Sequence, residues 1–119
     1  MELKTGSRKI KIQKVRKVSE WGKIRGLMFR KKENAKALIF EFKSPTGMSI
    51  HSCFVFFDFL ALWLDEDNNI LEKKIVEPWR FSVSPSVKYY KLLEIPLNNL
   101  YYSKVKKILS YFPSDKRFK

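Results

Sequence analysis

The chain has 119 residues, with 25 Lys and Arg against 12 Asp and Glu, for a net charge of +13. The length fits one domain, and 45% hydrophobic with 15% aromatic residues supports a single modest core and excludes a disordered polyelectrolyte. One Cys rules out an intramolecular disulfide, and one Cys with one His rules out a structural zinc site built from those ligands.

The charge is unevenly spread. Residues 1–32 carry 12 basic and 2 acidic side chains, residues 33–99 carry 7 and 9, and residues 100–119 carry 6 and 1. The basic excess therefore sits at the two ends, around a middle that is slightly acidic. Such an excess suits an acidic partner such as nucleic acid or an anionic surface, and bears on association more than on fold. The first residues hold no apolar signal core. The longest apolar stretch, residues 53–64, is broken by Asp58 and is too short for a membrane helix. A soluble, cytoplasmic protein without a cofactor is expected.

From Arg8 the chain alternates, with Ile10 and Ile12 apolar between Lys9, Lys11 and Gln13, as in a half-buried strand. Val15 and Val18 fall out of phase, which calls for a bulge or the start of a helix. Ser19 as N-cap, Glu20 in the first turn and Gly26 as a stop predict one short helix near residues 19–25. Residues 31–36 are polar and read as a loop. Residues 37–42 (ALIFEF) form a strand, and Ser44, Pro45, Thr46 and Gly47 a turn. Residues 48–57 alternate again, which predicts extended chain with His51 on the face of Ser49 and Cys53. Residues 59–64 are apolar on both faces, as in a central strand. Residues 65–69, rich in Asp and Asn, make a turn. Strands follow at 70–76 and 89–95. In the tail, Val105, Ile108, Leu109 and Phe112 share one helical face, with Ser103 as cap and Lys104, Lys106 and Lys107 on the other side. These patterns predict an all-β, or mainly β, antiparallel sandwich or barrel-like single domain over 1–119, with an amphipathic C-terminal helix near 103–112.

Arg25-Gly26-Leu27-Met28-Phe29-Arg30 resembles the "rGLMfR" signature of the uncharacterised family known as domain of unknown function 192. In order along the chain, residues 37–42 resemble its "GMLFvF" strand and residues 49–52 (SIHS) the "sIHs" of archaeal members. Residues 56–65 take the place of "fFPIDvvFLD", Glu77-Pro78-Trp79 that of "lkPW", and residues 92–96 (LLEIP) that of "vLELP". The resemblance runs from about residue 15 to residue 96. It implies a mainly β, sandwich-like fold and no established activity. It also implies a family-like β core over about 9–96 and a basic C-terminal extension over 97–119. The Pro and Asp of "PID" are Asp58 and Leu60 here, which argues against a site built on a carboxylate at position 60.

His51 is the one side chain whose ordinary pKa lies near neutrality, and Ser49, Ser52 and Cys53 adjoin it. It reads either as an acid/base or ligand-contact histidine, the centre of a hydrolase or transferase, or as a half-buried strand histidine with one hydrogen bond. Cys53 lacks a basic neighbour and reads as an inert thiol. Arg30 and Glu94 lie in the two best-matched motifs and could pair as a structural clamp, or Arg30 could bind a carboxylate or phosphate. Met28 and Trp79 read as core or pocket wall. No spacing among the carboxylates suggests a paired-acid hydrolase, and no glycine-rich phosphate loop is present. Three functions stay open. The first is a non-catalytic binding or scaffold module for a small ligand or protein, with a shallow pocket lined by Met28, His51 and Trp79. The second is a nucleic-acid or anionic-surface binder using Lys9, Lys11, Lys14, Arg16, Lys17, Lys104, Lys106 and Lys107, with Tyr101, Tyr102 and Tyr111 stacking on bases. The third is the His51-centred enzyme.

Overall fold

A computed structural model describes residues 1–18, 27–28 and 30–111. Its frame is a five-stranded sheet in the order β3-β4-β7-β5-β6, where β3 is Arg16–Lys17, β4 Leu38–Thr46, β5 Phe59–Leu64, β6 Ile70–Val76 and β7 Tyr89–Pro96. All pairings are antiparallel except that of β3 with β4, which is parallel. A two-stranded hairpin of β1 (Glu2–Thr5) and β2 (Arg8–Lys11), a short 3-10 helix at Lys32–Asn34 and one described α-helix, α1 (Tyr102–Ser110), complete the described elements. The mainly β single domain expected from the patterns is what forms. The second layer is smaller than a full sheet, being the hairpin together with the helix.

The sheet is organised by β5. Its sequence, FLALWL, leaves no polar side chain to face water, and all six residues are buried. Leu60, Leu62 and Leu64 point to one side, with Leu93 and Ile95 of β7, Ile39 of β4, and Leu3, Ile10 and Ile12 of the hairpin segment. Val105 and Ile108 of α1 and the whole of Tyr101 close that side. Phe59, Ala61 and Trp63 point to the other side, with Leu38, Phe40, Val76, Tyr89 and Leu92, under Val55 and Phe57. Each large side chain so buried contributes about 1.5–3 kcal/mol. The two sides are called below the helix side and the loop side.

Several boundaries differ from expectation. β4 runs on through Ser44 and Pro45 to Thr46, with an irregular register between Glu41 and Thr46 against β7. Residues 48–57 are not a strand. A single bridge, Ile50 with Val83, is all the ladder they make, and Phe54 adopts a left-handed φ of 61° that breaks extended chain. The phase slip after Ile12 lies at Lys14, whose φ is 54°. The expected helix over 19–25 lies outside the described residues. The helix α1 begins one residue before Ser103, with Tyr101 at the N-cap and no side-chain cap. The predicted turn at 65–69 does form. Asp65 Oδ1 accepts from the N–H groups of Asp67 and Asn69, both at 2.9 Å, and Asn68 takes φ 70°. Burial raises the Asp65 pKa, but those bonds and the Asn69 side chain outweigh it and the net shift is downward.

Tyr101 joins the ends of the chain. Its hydroxyl accepts the Ala37 N–H at 2.9 Å and donates to the Lys14 carbonyl at 3.1 Å. The ring has no exposed surface, so the tyrosine is a structural rivet and not a stacking platform for bases. Tyr101→Phe leaves a buried N–H without an acceptor. It should destabilise the chain by about 1–3 kcal/mol, read as a lower urea midpoint at an unchanged slope.

Candidate functional site

The loop side of the sheet holds the unusual chemistry. Register places Glu94 of β7 opposite Ala61 of β5 and Leu38 of β4, and Trp63 opposite Leu92. Residues directly opposite share a face, so Glu94 and Trp63 are diagonal neighbours, about 7–8 Å apart at their Cα atoms. Glu94 is only 5% exposed. It forms no hydrogen bond or ion pair with any described residue, and burial pushes its carboxyl up to about 8. The Trp63 indole N–H is also buried and makes no hydrogen bond of good geometry, although it acts on the Tyr89 hydroxyl beside it. Beside them stands Tyr89, its ring 6.3 Å from that of Trp63 at 67°. Burial pushes the Tyr89 phenol up to about 12, opposed by the nearby Trp63 indole and reinforced by Glu94. Its hydroxyl donates to the Met48 carbonyl at 2.7 Å. The small side chain of Ala61 lies between Glu94 and the β6 position of Lys74.

Two loops, residues 47–58 and 77–88, border this face, and Ser52 stitches them together. Its hydroxyl donates to the Glu77 carbonyl at 2.6 Å and accepts the Arg80 N–H at 2.7 Å. Its backbone N–H donates to the Arg80 carbonyl at 2.8 Å, and its carbonyl accepts from Trp79 at 2.9 Å. The fully buried hydroxyl is thus committed twice over and is no nucleophile. Above it, Phe54 and Trp79 both sit in the left-handed region, at φ 61° and 63°. Bulky residues hold such angles at a cost of about 1–3 kcal/mol each, and do so where the surroundings over-determine them. The two rings meet edge to face at 4.8 Å, and Phe56 approaches Trp79 at 6.0 Å. All three are substantially exposed, Trp79 at 46%.

The sequence candidates divide accordingly. Glu94 lies at the heart of the loop side, but Arg30 is exposed and forms no ion pair with it, so the clamp expected between them does not exist. The Arg30 N–H closes a turn on the Leu27 carbonyl at 3.3 Å. Met28 packs against the loop-side core. His51 and Trp79 are drawn to the same place by Ser52. The imidazole is exposed, and its Nδ1 accepts from the Cys53 N–H at 3.2 Å, a local turn in place of the expected strand contact. No carboxylate or hydroxyl among the described residues bonds to it. Cys53 is half-buried and free. Among the described residues no three His, Cys, Asp or Glu side chains gather as a metal would require. Trp63 is not among the sequence candidates, and Ser52 enters them only as a neighbour of His51. The one available signal was a Trp inside a wholly apolar strand, where its N–H has few partners.

The basic candidates lie mostly on the opposite, helix side, while Arg16, in register with Leu38, faces the loop side. Lys9, Lys11, Lys14, Arg16 and Lys17 are exposed, as are Lys106 and Lys107, with Lys104 half-buried. Lys17 and Lys91 flank Glu41 at 3.0 and 3.6 Å, and the Lys17 contact outweighs burial to lower the Glu41 pKa.

Comparison with known proteins agrees with the resemblance of the motifs. The DUF192 family, "Uncharacterized ACR, COG1430", matches residues 1–107. The chain belongs to this family. The DUF192 match thus extends beyond the quoted motifs into both the hairpin and α1. No curated protein matches. A crystal structure of a protein of unknown function from Novosphingobium aromaticivorans is similar at TM-score 0.65 and 15% identity, covering 86% of this chain and 74% of that one. A second, a "putative transcription regulator" from Sinorhizobium meliloti, is similar at TM-score 0.68 and 16% identity, covering 87% and 83%. At such identity both show a shared fold. No helix among the described residues is long and apolar enough to cross a membrane.

The Ser52 stitch is open to test. Ser52→Ala removes the acceptor of the Arg80 N–H and the donor to Glu77. Loss of stability by about 1–3 kcal/mol is expected, with faster amide hydrogen exchange at Arg80 as the local sign.

Proposed function

We propose that this DUF192 chain is a non-catalytic binding module of the cytoplasm, and that its ligand is a small polar molecule seated against Glu94 and Trp63. The observation that carries the reading is a buried carboxyl, Glu94, that bonds to no described residue and shares a face with the buried Trp63 indole N–H, which lacks a well-formed hydrogen bond. Buried carboxyl and indole N–H groups are almost always satisfied, and each exception asks for an explanation. Here one offers an oxygen and the other an N–H, at diagonal positions of the same sheet. A ligand with a donor for Glu94 and an acceptor for the indole would satisfy both at once. The aromatic surroundings of Tyr89 and Trp63 match the mostly apolar lining of small-molecule sites with few polar anchors. The committed Ser52 hydroxyl and the exposed, locally bonded His51 speak for binding over catalysis.

The Glu94 carboxyl gives the test. Its pKa rises on folding from 4.5 to about 8. Between those values the folded chain holds a proton that the unfolded chain has released. The resulting stabilisation is complete below pH 4.5 and is lost as pH climbs through 8. Thermal unfolding should show the empty wild type losing stability across pH 5–8 relative to Glu94→Gln, by roughly 3–5 kcal/mol in total. A thermal-shift screen of small alcohols, amines and amides should return compounds that raise the wild-type Tm. Those compounds should lose at least about tenfold in affinity in Glu94→Gln and in Trp63→Phe, the loss expected when a buried hydrogen bond is removed. Absence of any such compound, with native mass spectra showing none carried through purification, would reject the reading.

A further inference from the structure

The described parts of the two basic ends, separated by most of the chain in sequence, come together in space. Leu3 and Ile10 of the hairpin and Val105 and Ile108 of α1 bury themselves in one core on the helix side. Alternation turns Lys9 and Lys11 outward, and the helical period does the same for Lys106 and Lys107. The two pieces touch where the Arg8 guanidinium lies over the Tyr111 ring at 4.4 Å. Arg8, Lys9, Lys11, Lys106 and Lys107 make no ion pair with a described residue, and Glu2, opposite Lys11, is the one acid of the hairpin, while α1 has none. The ion pairs of the described residues lie elsewhere, at Glu41, Glu72 and Glu77. The uncompensated charge is thus one layer on one side of the sheet. Within it, Tyr102 is 58% exposed, and Lys106 Nζ stands 5.6 Å from its ring centre.

We propose that this layer binds single-stranded nucleic acid without sequence preference, independently of the Glu94 site on the far side of the sheet. Unpaired lysines track phosphates as point charges, and counterion release supplies the affinity. Lysine outnumbers arginine in the chain by 19 to 6, which suits backbone contact over the bidentate reading of bases. An exposed tyrosine among those lysines gives an unpaired base a ring to stack on, which a duplex or a lipid headgroup cannot use. That ring decides between single strands and the other polyanions.

The test uses the full chain and fluorescein-labelled 20-nucleotide oligo(U) and oligo(dT), with anisotropy measured across a salt series. Affinity should fall linearly on a log–log plot against salt, by about 0.7 per phosphate contacted. Lys9→Gln with Lys107→Gln should flatten that slope by about 1.4, the value for two contacts. Arg80→Gln with Lys88→Gln, two charges removed from the loop side, should leave it unchanged. Tyr102→Ala should weaken binding about 5- to 100-fold at a constant slope, the signature of a lost stack. Tyr102→Phe should restore it. Circular dichroism and melting curves establish that each variant folds. Three results would overturn the proposal. They are no binding at 25 mM salt, equal slope changes from the two double variants, and tighter binding to a duplex of the same length or to phosphatidylserine vesicles than to the single strands.

Discussion

The fold depends on the demand of one strand for cover on both faces. β5 carries six apolar residues in a row, so neither of its sides can be left to water. β7 and β6 satisfy its backbone, but its side chains need two further layers. On one side the cover is regular, a hairpin and a helix whose apolar stripes fit the sheet. On the other it is irregular, built from Val55 and Phe57 of a loop that must be held in shape by hydrogen bonds from Ser52. The two covers differ in chemistry because they differ in construction. A hairpin and a helix have an outward face free for charge. A loop that dips its apolar residues inward throws its neighbours, Phe54, Phe56 and Trp79, outward.

The sequence was most legible where period and composition agreed. The bounds of β5 and β6 could be read directly, because an apolar run and an alternating run were punctuated by the Asp and Asn turn between them. Residues 48–57 misled because their alternation is real but serves a loop. What decides their shape is the bonding of Ser52 to residues 77 and 80, a relation between distant positions that local pattern does not carry. β1 is not legible because four residues with one buried Leu3 give no periodic signal, although Gly6 at φ 60° marks the turn that follows. Motif resemblance pointed to Glu94. Its isolation was hidden, since whether an acid meets a cation depends on which strand faces lie opposite, and the answer here is Ala61 and Leu38. Of the candidate site, then, the residue was legible and its electrostatic condition was not.

The two sides of the sheet hold their polar groups in opposite ways. On the helix side, the hairpin and α1 keep their charges in water, while Lys73 of β6, opposite Leu62, is buried. On the loop side, a single acid gives up its charge to remain buried. Costs of the second kind are carried by the rest of the core. The left-handed Phe54 and Trp79 belong to the same account, since a relaxed loop would neither pin those rings together nor keep Ser52 buried.

The strand order has a consequence for how the chain is made. β7, the last strand of this sheet in chain order, lies between β4 and β5 in the finished sheet. A nascent chain that has reached residue 88 therefore carries β4 and the β5–β6 hairpin as separate pieces, each with an open inner edge. Neither edge can pair until β7 emerges and is inserted between them. Tyr101 then closes the structure onto Lys14 and Ala37 only a few residues later. The chain must leave the ribosome as far as Pro96 before the sheet exists. In that interval the exposed strand edges are the part of the molecule most open to misassociation.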